Sequence, residues 1–147
     1  INKGVGSNIK SEYIFLTNTF NTGSSSIINH KNLNKVKINK KQRTDIIDLD
    51  SFVEFNLIKN IDFIKIDVEG HELEVLQGAA KIISNKKSLL LVEVEKRHNK
   101  KYLEVFKYLI DLGFSIYHVK ESRLQPVVFE KVENIMLAAN NFVFKNY

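Results

Sequence analysis

Two short stretches concentrate carboxylates beside apolar runs. They are Asp67-Val68-Glu69-Gly70-His71-Glu72 and Leu91-Val92-Glu93-Val94-Glu95. An acid inside an apolar strand costs several kcal/mol unless it is paired or ligand-bound. Asp67 and Glu93 therefore need a reason to be there. Lys65, two residues before Asp67, lies on the same side of a strand and is a ready ion-pair partner; a bound ligand is the other explanation. Glu69, Glu72 and Glu74 open a helix, where acids also serve as plain caps on the macrodipole. Gly70 lets the backbone turn sharply and leaves space for a ligand. His71 has the right chemistry for a base near neutral pH, and an exposed helix-start histidine is the plainer reading.

Other chemistries find less support. Asp67, Glu69 and Glu93 offer oxygens suited to Mg²⁺ or Ca²⁺, but no ligand loop of known spacing accompanies them, so no metal is expected. The four histidines, His30, His71, His98 and His118, have no zinc spacing. Gly4-Val5-Gly6 is the one G-x-G and lacks the helix signature of a phosphate loop. No nucleophile elbow is present. With no cysteine, disulfides, thiolate metal sites and Cys nucleophiles are excluded.

The elements that must position these acids are clearest in the centre. Ile61–Val68 reads as a strand, broken by Glu69-Gly70. Leu73, Leu76, Ala80 and Ile83 then follow a 3.6-residue period, with Asn85 as a stop. Leu89–Val94 is a nearly continuous apolar run, expected for a strand buried on both faces of a parallel sheet. Leu103, Phe106 and Ile110, joined by Tyr102 and Leu109, form the apolar face of a second helix, which Gly113 ends. Phe114–Val119 and Ile135–Ala139 read as further strands. Too few residues separate those two for a helical crossover, so they should be antiparallel. Upstream, Tyr13–Thr17 reads as a strand, Asn18–Asn29 as a loop, Val36 and Ile38 as a short edge strand, and Ile46–Val53 as a strand leading into a short helix. Strand and helix alternating at this spacing predicts βαβ units in an open parallel sheet with helices on its faces. Ligands of such sheets bind beyond the carboxyl ends of the strands, which points to Asp67, Glu69, Gly70, His71, Glu72, Glu93 and Glu95.

The 147 residues suit one domain. No apolar stretch approaches the roughly 20 residues of a membrane-spanning helix. No signal peptide is visible, so the expected compartment is the cytoplasm; the lack of an initial Met reads as a fragment. Net charge is +5. The run Lys31, Lys35, Lys37, Lys40, Lys41 and Arg43 is read as a solvated loop or edge that discourages aggregation. Lys96-Arg97-His98-Asn99-Lys100-Lys101 is read likewise, as the polar mouth of a helix. No aromatic–basic interleaving marks a nucleic-acid platform, and nucleic acid is not expected as a partner.

The segment Lys65-Ile66-Asp67-Val68-Glu69-Gly70-His71-Glu72, with Leu76 and Gly78 in the helix behind it, resembles the signature of the FkbM-type methyltransferases. Thr44–Phe52, Thr22–Ser26, Leu91-Val92-Glu93 and Leu112-Gly113-Phe114 resemble further parts of that family. The resemblance implies a Rossmann-like class I methyltransferase sheet using S-adenosylmethionine to methylate hydroxyls of a sugar, glycolipid or similar small molecule. The family's Gly-rich D-x-G-x-x-x-G turn is missing. By analogy Ile1–Ser7 is the end of a third strand, and residues 1–147 are a single partial domain lacking the first cofactor-binding βαβ unit at its amino-terminal side. Under this reading Asp67 is the base or substrate anchor, and repulsion from Glu69 raises one pKa of that pair. His71 and Glu72 meet substrate hydroxyls, Glu93 braces the site, and Gly4 and Val5 flank the adenine. The rival reading is a non-catalytic interaction domain, pairing with another copy through an exposed sheet edge.

Overall fold

The computed structural model describes residues 1–16, 40–84 and 87–147. The expected edge strand at Val36 and Ile38, the loop Thr22–Ser26, the stop at Asn85 and Lys31, Lys35 and Lys37 of the basic run lie outside these residues. In chain order the elements are β1 (Gly4–Val5), β2 (Lys10–Leu16), β3 (Lys40–Ile47), α1 (Leu49–Phe55), β4 (Phe63–Ile66), α2 (Glu72–Gln77), α3 (Ala80–Ser84), β5 (Leu89–Glu93), α4 (Tyr102–Asp111), β6 (Ser115–Lys120), β7 (Arg123–Val127), α5 (Val132–Ile135) and β8 (Asn141–Lys145).

These elements build two sheets where one was expected. The smaller has the order β1-β3-β2, with β1 parallel and β2 antiparallel to β3. Ile1–Ser7, expected to end a third strand of a single sheet, holds β1 of the smaller sheet. Its short strand pairs instead with Ile46 and Ile47. The larger sheet has the order β4-β5-β8-β6-β7. β4 runs parallel to β5, as the helical crossover through α2 and α3 requires. β8 is antiparallel to both β5 and β6, so β4, β5 and β6 all point the same way. The antiparallel end of the sheet was anticipated, but its strands were misplaced. Ile135–Ala139 is not a strand: it is the end of α5 and a turn, with Met136 buried and Leu137 exposed. The last strand is β8, which begins six residues later. β6 and β7 form a hairpin whose turn, Glu121-Ser122, has positive φ at both residues. Such a two-residue turn matches the strands' twist. Pro126 is tolerated because β7 is an edge strand.

The core lies on one face of the larger sheet. Along β5, Leu90 and Val92 are buried while Leu89, Leu91 and Glu93 are half-buried. This alternation replaces the burial on both faces expected for an unbroken apolar run. α4 covers that face with Val105, Phe106 and Leu109, and Phe106 meets Phe142 edge-on at 4.9 Å and Phe144 at 5.7 Å. Ile110, expected on the same face, is 37% exposed. Gly113 ends α4 with φ 84°. Its N–H donates to the Ile110 carbonyl and the Phe114 N–H to the Leu109 carbonyl, a Schellman closure.

The expected helix after Gly70 is two helices, α2 and α3, broken at Gly78 and Ala79. The break is where the α1 segment docks. The Asp50 N–H donates to the Gly78 carbonyl at 2.8 Å. Its carboxylate accepts from the Lys81 and Ile82 N–H groups, at 2.9 and 3.0 Å. Those are first-turn donors of α3, which have no partner within the helix. Asp48 caps α1 by accepting from the Ser51 N–H at 2.7 Å.

Candidate functional site

The parallel register of β4 and β5 assembles the acids. Ile66 pairs with Val92. Continuing that register past the strand ends sets Asp67 beside Glu93 and Glu69 beside Glu95. Asp-Val-Glu on one chain segment thus lies against Glu-Val-Glu on the other. A hollow of about 10 Å³ forms there, lined by Asp67, Glu69, Glu72, Glu93, Glu95 and His98. That volume is the size of one water or one ion.

Asp67 is one residue past β4 and its side chain is 42% exposed. The cost of an acid buried within a strand therefore does not arise. Lys65 Nζ is its partner at 2.7 Å and is itself 52% exposed, so the pair stays within reach of solvent and ligands. The like-charged neighbour that matters is Glu93, not Glu69 as expected. Burial, then Asp67 and then Glu95, push the Glu93 carboxyl above the usual carboxylate range.

The turn that follows explains Glu69-Gly70. Both residues are left-handed, with φ 50° and 100°. Glu69 carries some strain there and is held by His98, whose Nδ1 is 3.0 Å from its carboxylate. At Gly70 a side chain is excluded outright, because a Cβ would meet the His98 carbonyl oxygen at 2.7 Å. The chain after β5 packs directly on this turn.

Glu72 is 2% exposed. One of its oxygens accepts from the Gly70 N–H at 2.7 Å and the other from Asn99 Nδ2 at 2.9 Å. Expected at a substrate hydroxyl, it braces the two loops against each other. His71 is half-buried, occupies the first position before α2 without a side-chain cap bond, and does not line the hollow. Gly4 and Val5 sit in β1 of the smaller sheet, away from the hollow's lining; Val5 packs on the core.

Sequence reading named Glu95 but missed His98 and Asn99 in the segment that follows it. Glu95 accepts from Asn140 Nδ2 at 2.7 Å, pairs with Arg97, and lies 3.3 Å from His98 Nε2. Asn99 is buried and also accepts from the Lys101 N–H. Taken as a solvated helix mouth, this segment instead closes the hollow. The usable signal was the second Val-Glu, matched to the first across two adjacent parallel strands.

A family model described as the methyltransferase FkbM domain matches residues 3–116. The chain belongs to the FkbM methyltransferase family. The FkbM match takes in every residue of the hollow and ends in β6, so the β7 hairpin arm and β8 lie beyond it. Comparison with curated proteins and with solved structures finds no significant match. Among the described residues, no helix is long and apolar enough to cross a membrane.

FkbM membership implies an S-adenosylmethionine type of cofactor. The hollow does not fit it: about 10 Å³ cannot take a nucleoside, and Gly4 and Val5 are not at its wall. No step is therefore routed through the cofactor.

The loop after β5 is tied down on its outer side by Glu133, which accepts from Lys96 at 2.9 Å and from Tyr102. Tyr102 and then Lys96 hold the Glu133 carboxyl below the usual range. A depressed folded pKa gives stability that is present above the unfolded value and lost as pH falls through the folded one. Glu133→Gln should lower the melting temperature slightly at pH 7, and the difference from the parent should shrink as the pH falls below the usual carboxylate range. Thermal melts of both proteins across that range check it.

Proposed function

We propose that this chain carries the acceptor-side machinery of an S-adenosylmethionine-dependent O-methyltransferase acting on hydroxyls of a sugar, glycolipid or similar small molecule. The larger sheet is read as Rossmann-like. Its strands β4, β5 and β6 run in one direction, with helices in the connections between them. Its acids gather beyond the carboxyl ends, where such sheets bind ligands.

The observation that carries the reading is Asp67: a solvent-reachable carboxylate at the tip of β4, directly beside Glu93. A hydroxyl oxygen that is to carry a methyl group must give up its proton, and a bound cofactor would supply the methyl. Asp67 is placed to accept that proton, with Glu69 beyond it to orient the acceptor. Lys65 Nζ pairs with the Asp67 carboxylate at 2.7 Å, and Glu93 braces it from the next strand. Fixing the acceptor supplies part of the barrier reduction available from orientation, at best roughly 7–11 kcal/mol. His71 and Glu72 are assigned to the acceptor side and Gly4 and Val5 to the cofactor side on family likeness alone.

The test is transfer from labelled S-adenosylmethionine to a panel of sugars and hydroxylated lipids, with calorimetry of cofactor binding. Transfer to one class of hydroxyl is expected, and Asp67→Asn should reduce it about 100-fold, the lower end of what a positioned base supplies. Absence of both transfer and binding would sink the reading. A second reading, a non-catalytic domain pairing with another copy, draws on the β4 edge: among the described residues β4 bonds only to β5, and Phe63 on it is 51% exposed. A strictly monomeric sedimentation profile would remove it.

A further inference from the structure

We propose that the hollow between the β4 and β5 tips binds one first-row divalent cation through Glu69, Glu95 and His98. The three side chains each offer a donor atom, and these atoms all lie within 4.8 Å of one another. Ligands of one small ion, each about 2.1 Å from it, stand roughly 3–4 Å apart, so small side-chain adjustments suffice. His98 Nδ1 is already 3.0 Å from Glu69 and Nε2 3.3 Å from Glu95. Two carboxylates with one imidazole suit ions such as Mn²⁺ or Zn²⁺ better than the all-oxygen sets of Ca²⁺.

Two observations apart from the donor set point to a cation. The hollow has room for one water or one ion. On its wall stands Glu72, 2% exposed, whose two partners, the Gly70 N–H and the Asn99 amide, are both neutral. A cation at Glu69, Glu95 and His98 would place a positive charge beside this buried, hydrogen-bonded carboxyl group. Arg97 now occupies one oxygen of Glu95, but its side chain is 73% exposed and can withdraw to solvent at little cost. Asn140 holds the other oxygen and orients the ligand. The ligands come from two loops 26 residues apart, which is why no ligand spacing shows in the sequence.

The inference does not depend on methyl transfer, and its test uses neither cofactor nor acceptor. Mn²⁺ is titrated into the protein and followed by loss of the free-ion electron paramagnetic resonance signal and by calorimetry. One saturable site per chain is expected, with Zn²⁺ competing for it. His98→Gln and Glu95→Gln should each weaken binding tenfold or more, while Glu130→Gln, elsewhere on the surface, leaves it unchanged. Should His98→Gln fail to fold, Glu69→Gln carries the same expectation. Absence of saturable one-to-one binding, or binding that the folded ligand variants leave intact, overturns the proposal.

Discussion

Gly70→Ala is expected to destabilise the protein by about 3 kcal/mol, roughly a hundredfold in the ratio of folded to unfolded chains. Two costs add. A side chain at φ 100° sits in the left-handed region that L-residues avoid, for about 1–2 kcal/mol. The added Cβ also meets the His98 carbonyl oxygen at 2.7 Å, and that oxygen belongs to backbone that cannot rotate away. Gly113→Ala separates the two costs. Its φ is 84°, yet nothing lies within 4 Å of the added carbon, so it should lose only the conformational part. Urea denaturation of both variants reads the difference. If Gly70→Ala costs no more than Gly113→Ala, the close packing of the two loops is wrong. The same substitution should also loosen the hollow, because the Gly70 N–H bonded to Glu72 would have to move.

Gly78→Ala is expected to cost about 2–3 kcal/mol for a different reason. Its φ of −73° is ordinary helical backbone, so there is no conformational objection to alanine. The objection is steric. The new Cβ would overlap the Gly6 carbonyl oxygen and come within 3.2 Å of Asp48 Cβ. Gly78 is where the smaller sheet and the α1 segment touch the helices of the larger sheet. The variant should therefore lose hydrogen-exchange protection first at the Gly6 N–H, which donates to Ile47 at 3.0 Å, and only later in β5 and β8. Uniform loss across both sheets would contradict this division.

The central β4-α2-β5-α4-β6 succession was readable because its strands and helices announce themselves by period. Leu73 and Leu76 recur at helical spacing, and the apolar run at Leu89–Val94 is too short for a helix. Where the reading failed, short apolar runs were to blame. Ile135–Ala139 and Asn141–Lys145 are both apolar and five residues long, and only packing decides between them. Phe142 and Phe144 extend as a strand because Phe106 and the neighbours of β5 and β6 bury them. Leu137 stays in solvent. The smaller sheet was equally hidden, since β1 is two residues long and its partner β3 lies more than 40 residues away.

For the site, sequence by itself determined which acids stand at strand ends and that the chain turns at Gly70, because both follow from local pattern. It also carried the family likeness. Only the tertiary structure decided which acids face each other. That Asp67 meets Glu93 and Glu69 meets Glu95 is a matter of register, set by hydrogen bonds between strands that are distant in the chain. The same long-range pairing turned His98 and Asn99, which look like ordinary polar loop residues, into the wall of the hollow. A side chain's charge is written in the sequence; its neighbours are fixed by folding, which brings segments 26 residues apart to within hydrogen-bonding distance.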